Sequence, residues 1–304
     1  MTLLAITGAT GFVGQALIDR ALAEGCTVRA LTRRDQPHRK GLTWVHGDLA
    51  DAKALAKLMR RAEAVIHVAG VVNAPDREGF VAGNVAGTLS VVEAAKKAGV
   101  PRFVFVSSLS AREPRLSDYG ASKARAEKLV RASGLDWTIV RPPAIYGPRD
   151  REMLELFRLA RWRVLPMPPR AGRASLIHVD DLARLLLALV PAERRTAHKV
   201  IEPDDGKPGG WSHYELARAI GWAVGRRPWV LHMSQPMLGR IARFDGWWRK
   251  DRAKLTADRV SYMCHPDWVV SERARPPVRL WQPQIETRSG LEATAKWYRE
   301  QGWL

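Results

Sequence analysis

Tyr119 and Lys123 stand four residues apart in Tyr119-Gly120-Ala121-Ser122-Lys123, eleven residues beyond Ser108 of Val106-Ser107-Ser108. Side chains at this spacing share one helical face, so an ammonium can sit beside a phenol and favour its ionised form. Such a phenol can give and take a proton near neutral pH, the work of a general acid/base. A Tyr-x-x-x-Lys pair also arises by chance on protein surfaces. Its place after two serines and behind a glycine turn sets this one apart.

The glycine turn is Thr7-Gly8-Ala9-Thr10-Gly11-Phe12-Val13-Gly14, directly after the apolar run Leu3-Leu4-Ala5-Ile6. Gly8 and Gly11 allow a tight turn and close approach of a pyrophosphate, and Gly14 lets a following helix pack against a strand. The helix N-terminus would face the phosphates with its amides and positive dipole end. Gly8, Thr10, Gly11, Phe12, Val13 and Gly14 are therefore the candidate pyrophosphate contacts. A carboxylate at the end of the second strand would suit NAD, because it accepts from the ribose hydroxyls. This chain has Leu31-Thr32-Arg33-Arg34 there. Arg33 and Arg34 suit a 2′-phosphate, which favours NADP over NAD, although two solvated charges would look the same.

The elements that must position these groups follow a βαβ rhythm. Strands are predicted at 3–7, 27–32, 43–46, 64–68, 102–107 and 137–141, and helices at 14–24, 52–60, 84–98 and 117–133. This is an α/β chain: a Rossmann-type doubly wound parallel sheet with a smaller, mostly helical C-terminal substrate region. The pattern loosens after Arg141 into Pro- and Gly-rich stretches, with helices predicted after Val179-Asp180-Asp181, over 212–224 and over 289–301. The expected division is a dinucleotide-binding domain over 1–165, with returning segments near 174–202, and a substrate region over 203–304.

Composition narrows the function classes. The chain has 304 residues, 46% hydrophobic and 26% charged, which suits a packed enzyme rather than a disordered segment. Met1 runs straight into the first apolar strand, so no export signal is expected, and no apolar stretch is long enough to span a bilayer. A cytoplasmic protein is expected, with peripheral membrane attachment left open. Cys26 and Cys264, the two cysteines, form no zinc or disulfide pattern. The net charge of +18 attracts polyanions, but no nucleic-acid-binding motif accompanies it, so specific nucleic-acid binding is not expected.

With these residues in view, the chain resembles the extended short-chain dehydrogenase/reductase family, which includes nucleotide-sugar epimerases and dehydratases, 3β-hydroxysteroid dehydrogenases and dihydroflavonol reductases. The resemblance spans nearly the whole chain. It rests on the glycine turn, Gly47-Asp48-Leu49, His67-Val68-Ala69-Gly70, Asn84-Val85-Ala86-Gly87-Thr88, Ser107-Ser108, Tyr119/Lys123, Arg141-Pro142-Pro143, Tyr146-Gly147-Pro148, His178-Val179-Asp180-Asp181 and Trp297-Tyr298-Arg299. It implies that Tyr119 is the acid/base, that Lys123 is its partner and holds the nicotinamide ribose, and that Ser108 binds the substrate oxygen. It further implies that Asp48 and Leu49 line the adenine pocket, Ala69 and Gly70 the phosphate-ribose edge, Asn84 the wall near the nicotinamide, and Pro142 the carboxamide. Many members carry Val-Tyr-Gly soon after the serine, where this chain has Leu109-Ser110-Ala111-Arg112. The serine loop is thus expected to differ, with Ser107 or Ser110 as substitutes for Ser108.

His178, Asp180 and Asp181 read as a helix start with an Asp N-cap rather than a metal cluster. His265 beside Pro266 and Trp268 reads as packing, and no GxSxG elbow suggests a hydrolase. Nine of the twelve tryptophans follow residue 205. In Phe244-Asp245-Gly246-Trp247-Trp248-Arg249-Lys250, Trp beside Arg and Lys suits an anionic membrane interface, although core packing would use the same residues.

The expected activity is hydride transfer on a hydrophobic or lipid-like carbonyl or secondary alcohol, steroid-like, flavonol-like or 3-oxo sphingolipid-like. The alternatives are a nucleotide-sugar epimerase/dehydratase and a non-catalytic dinucleotide-binding subunit like that of respiratory complex I. Expected partners are a small-molecule or lipid substrate and an anionic membrane surface. Monomer and homodimer both stay open.

Overall fold

The computed structural model describes residues 2–249 and 255–304. Backbone contacts divide the chain into two units: Met1–Pro142, Asp180–Pro203 and Ala274–Trp281 form the first, and Pro143–Val179, Asp204–Arg273 and Gln282–Leu304 the second. The first unit thus ends at Pro142 rather than at the expected 165, and 180–203 returns to it as a separate segment. Lys250 lies outside the described residues.

In the first unit, strands β1 (Leu3–Thr7), β2 (Thr27–Thr32), β3 (Leu42–His46), β4 (Ala64–His67), β5 (Arg102–Val106) and β6 (Asp136–Val140) join a seventh strand, Lys199–Ile201. The sheet is seven-stranded and parallel, with β1 between β2 and β4, and β5, β6 and the seventh strand continuing outward beyond β4. Strands of such a sheet are covered on both faces and read as continuous apolar runs. β4 and β5 are buried at every position, the Arg102 that opens β5 included.

The crossover helices are α1 (Phe12–Ala23), α2 (Ala52–Met59), α3 (Arg77–Phe80), α4 (Gly87–Lys97) and α5 (Asp118–Arg131). Val91, Val92 and Ala95 of α4, and Ala126 and Val130 of α5, pack with Phe103 and Phe105 of β5 in one core. Helix α1 starts two residues before the expected Gly14, because extended Gly11 already serves as its N-cap. The helix expected from Asn84 starts at Arg77, where Asp76 caps it by accepting from Gly79 N at 2.8 Å. A π-helical turn, Val81–Ala86, joins α3 to α4.

The second unit holds helices Leu154–Arg161, His213–Ala223, Gln235–Arg249, Ala257–Met263 and Thr287–Glu300, and also three small sheets built from strands of two to four residues. Its expected mostly helical character therefore needs short strands added. Those strands lie among loops and lack the length to show a period in sequence. Ser212 and Glu215 form a reciprocal capping box on His213–Ala223, which places the start of that helix where sequence put it. The core gathers Phe157, Leu216, Ile220, Leu291 and Tyr298, whose ring meets Phe157 edge-on at 5.2 Å.

Candidate functional site

The strand order reverses between β1 and β4, and sheets of this kind bind ligands at such a switch point. The glycine turn leaves β1 there, and Ala69-Gly70 leaves β4. Gly8 has φ +71°, and a Cβ on it would lie 2.5 Å from the Ala69 amide nitrogen. A Cβ on Gly14 would stand 2.1 Å from the Gly8 carbonyl oxygen, so neither position admits a side chain. No side chain caps α1 and its first turn holds no acid, which leaves its amides and dipole for an anion. Thr10 and Gly11 are exposed at the tip of the turn, Phe12 is half-buried, and Val13 is buried so that only its backbone can reach a ligand. A Cβ on Gly70 would meet Asn84 Oδ1 at 3.0 Å and Lys123 Nζ at 3.2 Å, so these three groups converge beyond β4. A bare backbone cradle, an uncapped helix and a nearby cation fit a dinucleotide.

A buried polar chain supports this cradle. The Thr88 hydroxyl donates to the Asn84 carbonyl at 2.6 Å, leaving its oxygen to accept from His67 Nε2 at 3.0 Å. His67 Nδ1 is then the acceptor for the Thr7 hydroxyl at 2.6 Å. Burial, followed by the charge of Lys123, holds the His67 pKa down at about 3, so the ring stays neutral and this pattern persists across the physiological range. Thr7 Oγ1 also accepts from the Ala69 amide at 3.3 Å.

Asn84, buried in the π-helical turn, accepts from Val71 N at 2.7 Å and donates to Val71 O and Ser122 Oγ at 2.9 and 2.8 Å. Its side chain clamps the loop after β4 to α5. Its expected place in the wall near the nicotinamide is thus occupied by a side chain bonded to protein on both ends.

Lys123 is buried, donates to Val106 O at 2.8 Å, and lies 5.0 Å from the centre of the Phe105 ring. Desolvation lowers its pKa to about 8 against the opposing pull of Glu127. Tyr119 is half-buried, its ring 6.1 Å from that of Phe80. Ser122 Oγ donates to the Tyr119 carbonyl at 2.7 Å, so the bonds of Asn84 extend to the turn of α5 that carries the phenol.

In the serine loop, Ser108 Oγ and Ser110 Oγ lie 2.7 Å apart, and Ser110 N donates to Ser108 Oγ at 3.2 Å, making Ser108 the cap of a 3-10 turn over Leu109–Arg112. Pro142 O accepts from Leu109 N at 3.0 Å and ties this loop to the end of β6. Ser107 Oγ donates to Glu127 at 2.7 Å, which commits it to the interior; Ser108 and Ser110 remain as a coupled pair of hydroxyls.

Arg33 and Arg34 are both exposed after β2, where Thr32 Oγ1 donates to Arg34 O at 2.7 Å and shapes the turn. Asp48 is exposed and accepts from the amides of Ala50 and Asp51, holding the loop that leads to the capping residue of α2. Leu49 is half-buried, its Cδ1 2.7 Å from where a Gly87 Cβ would stand.

Sequence reasoning missed Glu127, Arg141 and Glu202 as one network. Arg141 grips both Glu127 oxygens at 2.7 Å and reaches Glu202 at 3.4 Å. The signal was Glu127 one turn beyond Lys123, on the same helical face. Asp180 and Asp181 lie inside the first turn of Val179–Ala188 rather than at an N-cap, with Asp181 paired to Arg184. His178 stacks edge-on against Tyr146, His265 packs on Trp268, and no group of metal-ligating side chains occurs among the described residues. Of the nine late tryptophans, Trp211, Trp268 and Trp281 are buried, Trp297 and Trp303 half-buried, and Trp222, Trp229, Trp247 and Trp248 exposed.

A parallel sheet with its glycine turn at the switch point, and a Tyr/Lys pair on the helix after β5, defines an NAD(P)-dependent oxidoreductase of the extended short-chain dehydrogenase/reductase class. The chain belongs to the NAD dependent epimerase/dehydratase family, whose sequence model matches residues 4–201. It is 38% identical to the ceramide reductase of Caulobacter vibrioides (strain NA1000 / CB15N) over 309 positions, covering 99% of this chain and 96% of that protein. It is 27% identical to the UDP-glucose 4-epimerase of Vibrio cholerae over 74% of this chain and 77% of the other. The Bordetella bronchiseptica enzyme WbmH in complex with NAD+ shares the fold at a TM-score of 0.74 and 22% identity, with 99% of both chains covered.

Proposed function

We propose that this protein reduces the ketone of a ceramide-like sphingolipid, an N-acylated 3-oxo long-chain base, to the secondary alcohol, with NADPH as the reductant. One observation carries this reading. The family match ends at residue 201, whereas the similarity to the Caulobacter ceramide reductase covers 99% of this chain and so runs on through 204–304, which holds most of the region expected to bind substrate. Arg33 and Arg34 favour NADPH, since two exposed guanidiniums after β2 suit a 2′-phosphate.

When bound, the dinucleotide supplies a hydride to the carbonyl carbon. Tyr119 delivers its hydroxyl proton to the carbonyl oxygen. Ser108, kept in place by Ser110 N and Ser110 Oγ, donates to that oxygen as negative charge develops on it. Lys123, anchored on Val106 O and protonated below about pH 8, stabilises the phenolate left behind and holds the ribose. Asn84 and Ser122 keep α5 and the loop after β4 at a constant separation while the proton moves.

The test supplies purified protein and NADPH with N-acyl-3-oxosphinganine in detergent micelles, and in parallel with UDP-glucose, and follows products by mass spectrometry. The expected result is a two-hydrogen mass gain on the lipid that depends on NADPH. Interconversion of the sugar nucleotide with no change in the lipid would overturn the proposal in favour of an epimerase.

A further inference from the structure

The helix Gln235–Arg249 has two apolar faces where a surface helix needs one. Leu238 and Ala242 form the packed face, buried with Val260 and flanked by Met233, Leu255 and Cys264. Met237, Ile241, Phe244 and Trp248 form the other, spaced as i, i+4, i+7 and i+11. At 3.6 residues per turn these four fall within about 60° of arc. They are 51%, 42%, 64% and 71% exposed, so the most regular apolar stripe on this helix faces solvent. Trp247, 73% exposed, broadens it, with ring centres 6.0 Å from Phe244 and 6.3 Å from Trp248.

The charges around the stripe have one sign. Arg240 and Arg243 are exposed on the flank shared with Trp247. The helix's single acid, Asp245, faces the packed side, accepting from Leu255 N at 3.0 Å and pairing with Arg249 at 3.3 Å. Upstream, Trp229 and Leu231 are exposed on one face of the strand Trp229–His232, which leads into this helix and follows exposed Arg226 and Arg227.

We propose that the Gln235–Arg249 helix is an in-plane anchor that seats the protein on an anionic lipid bilayer. The stripe Met237, Ile241, Phe244 and Trp248 enters the boundary between headgroups and acyl chains, and Arg240 and Arg243 meet lipid phosphates at its rim. The helix is 15 residues long, about 22 Å, and no helix among the described residues is long and apolar enough to cross a membrane. An interfacial helix instead lies flat, with its apolar face buried and its cations snorkelling to the phosphates. A protein partner would more naturally present carboxylates to the two arginines; the net charge of +18 favours an extended anionic surface instead. The proposal stands apart from the substrate reading, because it concerns vesicles that hold neither sphingolipid nor cofactor.

The test is flotation of the full chain with vesicles of phosphatidylcholine alone or with 30% phosphatidylglycerol, at low and at 0.5 M salt. Binding is expected only to the anionic vesicles at low salt. The double variant Phe244→Ser/Trp248→Ser should bind at least tenfold more weakly, and Arg240→Glu/Arg243→Glu should lose more than fivefold per charge, the effect expected of one basic residue at an anionic surface. Both variants should keep the wild-type melting temperature and NADPH affinity, since every substituted side chain is exposed. For the unmodified protein, brominated acyl chains should quench tryptophan emission in anionic vesicles alone. The proposal is overturned if the wild type fails to float with anionic vesicles. It is overturned equally if the Phe244/Trp248 variant floats undiminished, or if sedimentation without lipid reveals a dimer that this variant abolishes, because a second copy would then cover the stripe.

Discussion

The first unit buries polar groups that most proteins leave in water, and the second exposes apolar groups that most proteins bury. Beneath the glycine turn, Thr7, His67, Thr88, Asn84, Ser122, Lys123 and Glu127 are all buried, and each has a bonding partner. On the helix Gln235–Arg249, by contrast, four apolar side chains in register point outward. A buried polar group without a partner costs roughly 1–3 kcal/mol, so a fully bonded interior network fixes backbone geometry, here the separation of β1, β4 and α5. An exposed apolar stripe fixes nothing inside its own unit. The two kinds of departure differ in consequence: the first fixes the backbone around the residues proposed for the chemistry, and the second leaves an apolar surface in water.

Three variants would sharpen that division or break it. Tyr119→Phe removes one hydroxyl and should lower turnover about a hundred- to ten-thousand-fold while NADPH affinity, read by fluorescence titration, stays within twofold. Wild-type turnover in this variant would move the chemistry away from the first unit. The Arg33→Ala/Arg34→Ala double variant should weaken NADPH binding by about ten- to a hundredfold, the worth of one charge-assisted hydrogen bond, and leave NADH binding unchanged. Equal losses for both cofactors would mean that the arginines do not read the 2′-phosphate.

The smallest effect belongs to the second unit and concerns stability alone. Asp150 is buried, and desolvation raises its pKa to about 6 although its carboxylate accepts from the amides of Glu152 and Met153. The folded state therefore holds a proton that the unfolded chain gives up near pH 4, and stability falls as pH rises from about 4 to about 6. Asp150→Asn should remove that slope, worth at most about 3 kcal/mol, from melting curves recorded across the interval. An unchanged slope would assign the titration to another group.

Much of the first unit was legible in advance. Each of β1 to β6 lies within one residue of its predicted span, because short runs rich in apolar and β-branched residues, bounded by turn residues, mark a strand without reference to its partner. The glycine turn and the Tyr119/Lys123 spacing were legible for the same reason, since local geometry specifies both. The start of α3 was missed because Gly79, Gly83 and Gly87 interrupt the helical period, and Asp76 acts as a cap only through its bond to Gly79 N. The clamp made by Asn84 escaped notice because its partners, Val71 and Ser122, lie thirteen and thirty-eight residues away.

The sequence by itself determined the class of fold, through the alternation of short strands with helices, and also the glycine turn and the spacing of Tyr119 and Lys123, the last two set by residues within a turn or two of one another. The tertiary structure alone decided that 143–165 leaves the first unit and that Ala274–Trp281 joins it, that Ser107 donates to Glu127 while Ser108 and Ser110 pair with each other, and which tryptophans are covered. Those outcomes depend on which distant segment arrives to pack or bond, and a side chain's type states what it can do without stating what will stand beside it.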